Sequence, residues 1–399
     1  MSAEYDQALH LVRSTLTKIR GEVPSRGFDP TKVAEIEVNE FAWKGKSVPR
    51  VMVVLRATGC EHYTSNAGCA MCAHFDGTTA NPVTTANYLA QWESVLNGTA
   101  IDNQPGMAEF DINNYPILCL YNLGSLLNPK EVPPEAVNEI FYSLNGCPGV
   151  EKVIIESRAE YITREALENI RNVYGGTVEV GIGLESINHD VRELGHNKNM
   201  PDLKVFENAV ALLHEFGFKA LAYVNQKPAF LTEQEAIDDA VETSVYAFKT
   251  GVDAVSIEPT SIQNHSLIDK LNKDGLYRVP WLWSVREAVR GIYAKLGSDQ
   301  PLDLRLGGYF DAEVISGSQG YASGVERNEL FPHTTSGNCD HCDKRMVAAI
   351  KEFNRVNDPN VLYNEPQCPH CYPEWQKDIV VVDPRPLPQR IIDVLGSKT

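Results

Sequence analysis

The sequence lacks any long hydrophobic run. No stretch approaches the ~20 apolar residues that a membrane-spanning helix requires, and no basic patch followed by an apolar run stands after Met1, as it would in a secretory signal. We therefore expect a soluble, cytoplasmic protein without a membrane partner. Hydrophobic residues make up 43% and charged residues 22% of the 399 positions, a composition typical of a globular chain and not of a disordered one.

Positive charge is also scarce. Lys and Arg number 36 against 53 Asp and Glu, which gives a formal net charge of -17. Such a balance repels a polyphosphate backbone unless basic residues are concentrated in a local patch. The composition therefore disfavours a nucleic-acid partner.

Cysteine is present in a pattern that argues against disulfides. Seven of the nine cysteines lie in two clusters, and in a reducing cytosol clustered cysteines favour metal ligation or thiol chemistry. The other two, Cys119 in an apolar run and Cys147 in a turn, are interpreted as packing residues.

Short apolar runs alternate with amphipathic segments from about residue 50 onward, which predicts repeated βα units and an α/β fold. The runs are typical of strands buried on both faces and cover residues 51–55, 117–121, 152–156, 178–185, 219–224 and 253–259. Among the intervening helices, Thr163 is a plausible N-cap, and Thr232 with Glu235 forms a capping-box pattern. Six repeats predict a partial (β/α)6 barrel, with an open doubly wound sheet as the alternative.

Three parts of the chain are expected from this pattern. Residues 1–45 are interpreted as a helical lead-in, residues 46–310 as the partial barrel, and residues 311–399 as a C-terminal extension that carries the second cysteine cluster.

The first cysteine cluster directly follows the first predicted strand. Cys60, Cys69 and Cys72 form a CxxxxxxxxCxxC pattern, and Gly59 and Gly68 allow the loop to fold tightly. Three thiolates suit a [4Fe-4S] cluster with one iron left open, because a cluster held fully by protein normally takes four.

The alternative for this loop is a structural zinc site that His62 or His74 completes. The position of the loop favours the iron-sulfur cluster, because barrel enzymes carry their active sites at the carboxyl ends of the strands.

Seven collinear blocks between Trp43 and Trp375 resemble one family. The sequence is similar to the radical SAM (S-adenosylmethionine) enzymes, in the subgroup of the archaeosine-forming tRNA lyase partner, which itself resembles the catalytic subunit of Elongator. The blocks are LRATGC with GCAMC, GSLLNPKEVP, IIESRAEYI, GIGLESINHDVRE, KPAFLTEQEAIDDA, SIEPTSIQ and YRVPWLWSVREA.

The resemblance implies a radical SAM barrel, a [4Fe-4S] cluster on the first cysteine set, SAM as cofactor and a reductant such as flavodoxin or ferredoxin. It also implies that the segment after the second predicted strand, with Asn122, Gly124 and Ser125, binds the SAM amine. The match at the next strand end implies contacts to the SAM ribose or carboxylate from Glu156, Ser157 and Arg158.

Three further residues are candidates for catalysis. Glu185 and Glu258 stand at strand ends, where they would converge on one cavity with Arg158, and Lys227 opens another matching block. An unpaired charge buried in such a cavity is costly, so carboxylates placed there favour a functional role over a structural one.

The second cysteine cluster consists of two CxxC pairs near the end of the chain. Cys339, Cys342, Cys368 and Cys371 have the spacing of a tetrahedral metal site, because each pair supplies two thiolates from one turn. Zinc is the first expectation, with an auxiliary iron-sulfur cluster or a mononuclear iron as alternatives. His341 and His370, inside the two pairs, are not expected to be ligands.

Two functions compete. The resemblance supports a tRNA-modifying lyase of the archaeosine type, whereas the acidic balance supports a small-molecule or amino-acid-derived biosynthetic substrate. Several strand-end residues also depart from the archaeosine pattern: Tyr121 and Asn122 replace a Thr-Ser pair, Asn225 and Gln226 replace apolar residues, and Glu258 replaces an Asn. We therefore predict a radical SAM enzyme with a changed substrate cavity. A non-catalytic metal-binding scaffold would leave the SAM-facing blocks without a role.

Overall fold

The computed structural model describes residues 2–23, 26–100, 110–297, 302–309, 313–316 and 334–396. The strands are β1 Glu35–Trp43, β2 Lys46–Val54, β3 Ile117–Tyr121, β4 Lys152–Glu156, β5 Thr177–Glu185, β6 Lys219–Gln226, β7 Ala254–Pro259, β8 Leu304–Leu306 and β9 Glu313–Ser316. The helices are α1 Ala3–Gly21, α2 Glu61–Asn66, α3 Thr85–Leu96, α4 Pro134–Ser143, α5 Arg164–Val173, α6 Lys204–Glu215, α7 Glu233–Thr250, α8 Leu267–Lys273, α9 Leu282–Leu296, α10 Asp343–Val356, α11 Asn360–Tyr363, α12 Tyr372–Ile379 and α13 Leu387–Leu395.

All nine strands belong to one sheet with the order β8-β7-β6-β5-β4-β3-β2-β1-β9. Strands β2 to β8 run parallel in chain order, with a helix after each of β2 to β7. This order lacks the reversal point of a doubly wound sheet, so the predicted α/β fold with a partial (β/α)6 barrel is confirmed.

Three strands were not predicted from the sequence. β1 pairs antiparallel with β2 and with β9, and it lies in the segment interpreted as a lead-in. β8 adds a seventh parallel strand of 3 residues, too short for a periodic signal. The division into three parts at residues 45 and 310 stays a prediction.

The two expected helix starts form as the sequence indicated. The Thr163 side chain accepts a hydrogen bond from the Ala166 amide at the start of α5. Thr232 and Glu235 cap α7 with the reciprocal bonds of a capping box, which satisfy two of the amides that a helix leaves unpaired.

A charged layer fills the barrel interior at the amino ends of the strands. Lys152 and Arg305 both pair with the buried Glu179 at 2.7 Å, and the guanidinium of Arg305 lies 5.1 Å from the centre of the Phe41 ring. These pairs cost desolvation, but they satisfy each other. The charged layer therefore lies at the amino ends of the strands, opposite the edge at which the cysteine loop leaves β2.

Cys119 and Cys147 are both buried, as their interpretation as packing residues requires. No helix in the described part of the chain is long and apolar enough to cross a membrane.

Candidate active site

The loop with the first cysteine cluster leaves β2 and lies at the carboxyl edge of the sheet. Cys60 is the N-cap of α2, and the chain turns after that helix through two left-handed residues, Ala67 with φ 62° and Gly68 with φ 68°. A Cβ on Gly68 would stand 2.6 Å from Nη1 of Arg20, so glycine is needed there for packing as well as for conformation. The turn brings Cys69 and Cys72 back beside Cys60.

The two histidines proposed for a zinc alternative differ in environment, because His62 bonds outside the cysteine loop whereas the side chain of His74 bonds to Cys72. Nε2 of the buried His62 lies 2.6 Å from the backbone oxygen of Asn197, and burial lowers its pKa to about 3. Burial would raise the pKa of the Cys72 thiol, but His74 lowers it to about 7. A lowered pKa suits a thiolate ligand.

The spacing of the first three sulfurs differs from that of a mononuclear site. Among the described residues, only the C-terminal four cysteines bring their ligand atoms within 4.8 Å of one another. A wider spacing of Cys60, Cys69 and Cys72 suits a cluster in which each thiolate binds a different iron. The assignment of a [4Fe-4S] cluster to these three cysteines stays a prediction.

The turn after β3 lies directly against this loop. A Cβ on Gly124 would stand 3.3 Å from Cα of Cys60, so only a glycine backbone can approach so closely. Asn122 and Ser125 are both buried, and Leu123 between them has φ 60°. The predicted SAM-amine segment and the cysteine loop are thus neighbours.

Glu131, which the sequence analysis did not single out, joins these two segments. Its carboxylate accepts hydrogen bonds from the amides of Ser125 at 2.6 Å and Glu61 at 2.9 Å, and from the side chain of Asn128 at 2.9 Å. The sequence feature that could have indicated Glu131 is its position as a charged residue at the end of the GSLLNPKE run. Glu131 orients the post-β3 turn against α2.

The residues after β4 lie beside the same loop. Arg158 donates from Nε to Glu160 at 2.5 Å and from Nη2 to the backbone oxygens of Lys198 at 2.9 Å and Asn199 at 3.2 Å. The Ser157 amide bonds to the Gly181 oxygen at 3.0 Å. Arg158 is therefore held by protein groups, whereas Glu156 is half-buried at the strand end.

Three carboxylates share the open end of the barrel. Glu185 has φ 62° and accepts a hydrogen bond from Nζ of Lys198 at 2.9 Å, and Glu258 accepts one from Ser256 at 2.6 Å. Burial raises the pKa of Glu258 to about 7, with a further contribution from the negative charges of Glu156 and Glu185. Glu156 and Glu185 thus lie near enough to Glu258 to affect its charge, and the catalytic roles of Glu185 and Glu258 stay predictions.

Two glycines beside these carboxylates leave space for the side chains of Tyr223 and Lys198. A Cβ on Gly181 would stand 2.6 Å from the Tyr223 ring, and one on Gly183 would stand 2.3 Å from Nζ of Lys198. A hydrogen bond from Tyr223 opposes the rise that burial causes in the pKa of Glu156. The sequence analysis missed Tyr223 and Lys198, although Lys198 lies in a polar run shortly after the GIGLES block.

Lys227 has a different environment from these carboxylates. Its Nζ lies 2.5 Å from Oε2 of the buried Glu233 at the start of α7, and its backbone oxygen accepts a hydrogen bond from Tyr277 at 2.6 Å. Glu233 also accepts from the Trp281 amide at 3.0 Å. The structure thus places Lys227 in a link between α7 and the start of α9, and its catalytic role stays a prediction.

The second cysteine cluster forms a compact group. The sulfur distances are 3.9 Å for Cys339 to Cys342, 3.6 Å for Cys339 to Cys368 and 3.5 Å for Cys342 to Cys371. Sulfurs at the corners of a tetrahedron with Zn–S bonds of about 2.3 Å are about 3.8 Å apart. The four residues could therefore hold one metal ion.

The surroundings of this group match a closed metal site. Nε1 of Trp283 donates to Sγ of Cys371 at 3.2 Å, and Nδ2 of Asn338 donates to Sγ of Cys342 at 3.6 Å. His341 and His370 are exposed and stack on each other with ring centres 3.9 Å apart. As expected, neither histidine belongs to the compact group.

No family model matches the sequence, but several curated proteins resemble it over most of its length. An uncharacterised protein of Methanocaldococcus jannaschii is 28% identical over 82% of this chain and 81% of its own. Archaeosine synthase subunit beta of Thermococcus kodakarensis is 29% identical over 83% of this chain and 92% of its own. The same subunit of Methanosarcina acetivorans is 26% identical over 85% and 87%.

Among solved structures, a queuine lyase from Clostridium spiroforme bound to SAM and queuine superposes with a TM-score of 0.41 at 17% identity, over 68% of this chain and 95% of its own. The fold is assigned from the strand order described above and not from this superposition. A three-cysteine loop at the carboxyl edge of a partial (β/α)6 barrel is the arrangement that the resemblance to the radical SAM enzymes implies. In sequence, the chain is similar to the archaeosine synthase beta subunits.

Proposed function

We propose that the protein binds a [4Fe-4S] cluster through Cys60, Cys69 and Cys72 and cleaves SAM to a 5'-deoxyadenosyl radical. The radical would abstract hydrogen from a small-molecule or amino-acid-derived biosynthetic substrate. The observation that carries the proposal is the contact of the post-β3 turn with the cysteine loop at Gly124 and Cys60. The cluster, when bound, supplies the electron for SAM cleavage, and a reductant such as flavodoxin or ferredoxin would replenish it.

The residues beside the cysteine loop would hold SAM. The turn with Asn122, Gly124 and Ser125 would receive the amine end, since its backbone lies closest to Cys60. Arg158 is bonded to Glu160 and to the 198–199 backbone, so it would position its neighbours. The ribose contact then falls to Glu156 or Ser157.

The carboxylates at the barrel mouth support a changed substrate. With a pKa raised to about 7, Glu258 is partly protonated at neutral pH and can donate a hydrogen bond. Gln226, another position that departs from the archaeosine pattern, is fully buried, and neither polar atom of its side chain has a hydrogen-bond partner among the described residues. Such an amide costs free energy until a partner satisfies it, and a polar substrate group would be such a partner.

The second candidate function is a tRNA-modifying lyase of the archaeosine type. The names of two relatives, archaeosine synthase subunit beta, favour it. The charge of the C-terminal extension argues against it, because two of its arginines are paired with acids. Arg345 pairs with Glu365 at 2.7 Å, and Arg355 pairs with Glu352 at 2.6 Å. We keep the small-molecule substrate as the leading proposal.

The second cysteine group would hold zinc as a structural metal. Closed tetrahedral thiolate sites contribute folding free energy directly, and the buried sulfurs pack against the core through Trp283. An auxiliary iron-sulfur cluster or a mononuclear iron are the alternatives that elemental analysis would separate from zinc.

The proposal is tested by replacing Cys60, Cys69 and Cys72 with Ala together. We expect the anaerobically reconstituted variant to lose about four irons and four sulfides per chain and to release no 5'-deoxyadenosine from SAM with dithionite. Cys147→Ala is the matched control, because that buried thiol belongs to neither cysteine cluster. If the triple variant still released 5'-deoxyadenosine, the proposed function would be wrong.

A labelling experiment would then identify the substrate. The wild-type enzyme is incubated anaerobically with SAM, reductant and a deuterated cell extract, and mass spectrometry follows deuterium into 5'-deoxyadenosine. Transfer from a small compound supports the leading proposal, and transfer only from the tRNA fraction supports the lyase.

A further inference from the structure

A short segment, residues 196–199, packs against the outer side of the cysteine loop. It follows a π-helical turn, Val191–Gly195, and precedes α6. Asn197 at its centre is completely buried and has a left-handed backbone with φ 50°. That conformation is uncommon for residues other than glycine, and Asn is one of the few that tolerate it.

The side-chain amide of Asn197 holds the loop between two of the cluster cysteines. Nδ2 donates hydrogen bonds to the backbone oxygens of Asn66 and Gly68, each at 2.8 Å. These oxygens lie on the turn that reverses the chain between Cys60 and Cys69. A single amide group therefore fixes both sides of the turn.

The backbone of the segment adds two further bonds to the same loop. The Ala70 amide donates to the oxygen of His196 at 2.8 Å, and Nε2 of His62 lies 2.6 Å from the oxygen of Asn197. Residues 62 to 70 are thus held at four points by two residues that come from beyond β5.

Helix α1 orients the Asn197 amide from the opposite side. Nε of Arg13 donates to Oδ1 of Asn197 at 3.1 Å, and Nη2 of Arg13 donates to Oδ1 of Asn199 at the same distance. Because Oδ1 accepts from Arg13, Nδ2 must face the loop carbonyls. Arg20 of the same helix donates to the oxygens of Cys69 at 2.7 Å and Cys72 at 3.2 Å.

We infer that Asn197 is the positioning residue of the cluster-binding loop, oriented by Arg13. Its two hydrogen bonds hold the Asn66 to Gly68 turn in the shape that brings three thiolates to one cluster. An aspartate in its place would present two acceptors to two carbonyl oxygens and could not donate. The inference rests on the proposed function, because it assumes that the loop binds a cluster.

The test compares Asn197→Asp and Asn197→Gly with wild type after anaerobic reconstitution. The Gly variant keeps the left-handed backbone accessible and removes only the amide. Asn199→Gly is the matched control: Asn199 has φ 54° and bonds to Arg13, but it is exposed and its side chain bonds to no loop carbonyl among the described residues. Iron loss to a chelator and the electron paramagnetic resonance signal of the reduced cluster with SAM are measured.

We expect both Asn197 variants to lose iron about tenfold faster or more, in the range typical when a group that orients metal ligands is removed. Their resonance signal should broaden or change when SAM is added, and Asn199→Gly should match wild type. Equal rates and equal signals in the Asn197 variants and wild type would overturn the inference.

A second variant decides the question if Asn197 proves necessary for folding. Arg13→Gln on the partly exposed face of α1 leaves Asn197 in place but removes the bond that orients its amide, so iron loss should again be faster than in wild type. No change would overturn the inference. A wild-type chain that binds no iron would instead refute the proposed function, so the two failures are distinguishable.

Discussion

Glu258 is the carboxylate whose surroundings most disfavour its charge. It is half-buried, its side chain accepts a hydrogen bond from the Ser256 hydroxyl, and it faces the charges of Glu156 and Glu185. Glu185, in contrast, has the ammonium group of Lys198 at 2.9 Å. Two carboxylates at the carboxyl ends of β5 and β7, which β6 separates, thus differ in environment.

This difference predicts a pH dependence of stability. The pKa of Glu258 is about 7 when folded and near 4.3 when unfolded, so its stabilising contribution is present below about pH 4 and is lost as pH rises through 7. The free energy of unfolding of Glu258→Gln, taken relative to that of wild type, should therefore increase from pH 5 to pH 8. The increase should be at most about 3 kcal/mol. Thermal unfolding under anaerobic conditions at the two pH values measures the gain.

Glu168→Gln is the control, because it also removes one negative charge. Glu168 is exposed on α5, a helix outside the barrel mouth. A Glu258→Gln variant whose advantage over wild type stays the same at both pH values, as for the control, would show that Glu258 is not held protonated.

The C-terminal cysteine group lies at the starts of two helices. Cys342 caps α10 and Cys371 caps α12, so each CxxC turn ends where a helix begins. Trp283 of α9, completely buried, reaches across to Cys371. The metal group thereby connects the extension to the helices around the barrel.

Removing the indole donor should weaken metal binding without changing the ligands. We predict that Trp283→Phe loses its metal to a chelator about tenfold faster or more, since groups that hydrogen-bond to metal ligands typically contribute 10- to 100-fold in affinity. Trp281→Phe is a close control, because its indole donates to Asp378 at 2.7 Å instead of to a sulfur. Metal content by elemental analysis checks this, and equal rates for the two variants would contradict it.

Whether this acidic protein can bind tRNA depends on how its basic residues are distributed over the surface. The extension offers Lys344, Arg345, Lys351 and Arg355, of which both arginines are paired with acids. A tRNA held through several phosphates needs several cations that face the same way. The described surface of the extension does not present such an array of free arginines.

We therefore predict no salt-dependent micromolar binding to bulk tRNA. Binding through six phosphates would fall by roughly 10³-fold or more between 50 and 200 mM salt, which a gel-shift series would reveal. A steep salt dependence with tight binding at 50 mM would contradict the small-molecule proposal and support the lyase.

The spacing of residues along the chain was enough to predict the βα repeats, the partial barrel and both cysteine sets. Parallel strands joined by helices place every carboxyl end on one edge, so Cys60, Gly124, Glu185 and Glu258 had to lie near one another. The strands β1, β8 and β9 escaped prediction because the first lies outside the repeat and the other two have 3 and 4 residues, shorter than a reliable periodic signal.

Which side chains meet at that edge was decided by the tertiary structure. Asn197 bonds to Asn66 across 131 residues of chain, and Lys227 turns to Glu233 and not to the carboxylates at the barrel mouth. Local periodicity encodes whether a residue faces the core, but not which partner from a distant segment satisfies its polar atoms. The cysteine spacing therefore predicted the two candidate metal sites, whereas the fold alone decided that Glu131 and Asn197 bond to the segments of the first cysteine loop and that Lys198 bonds to Glu185.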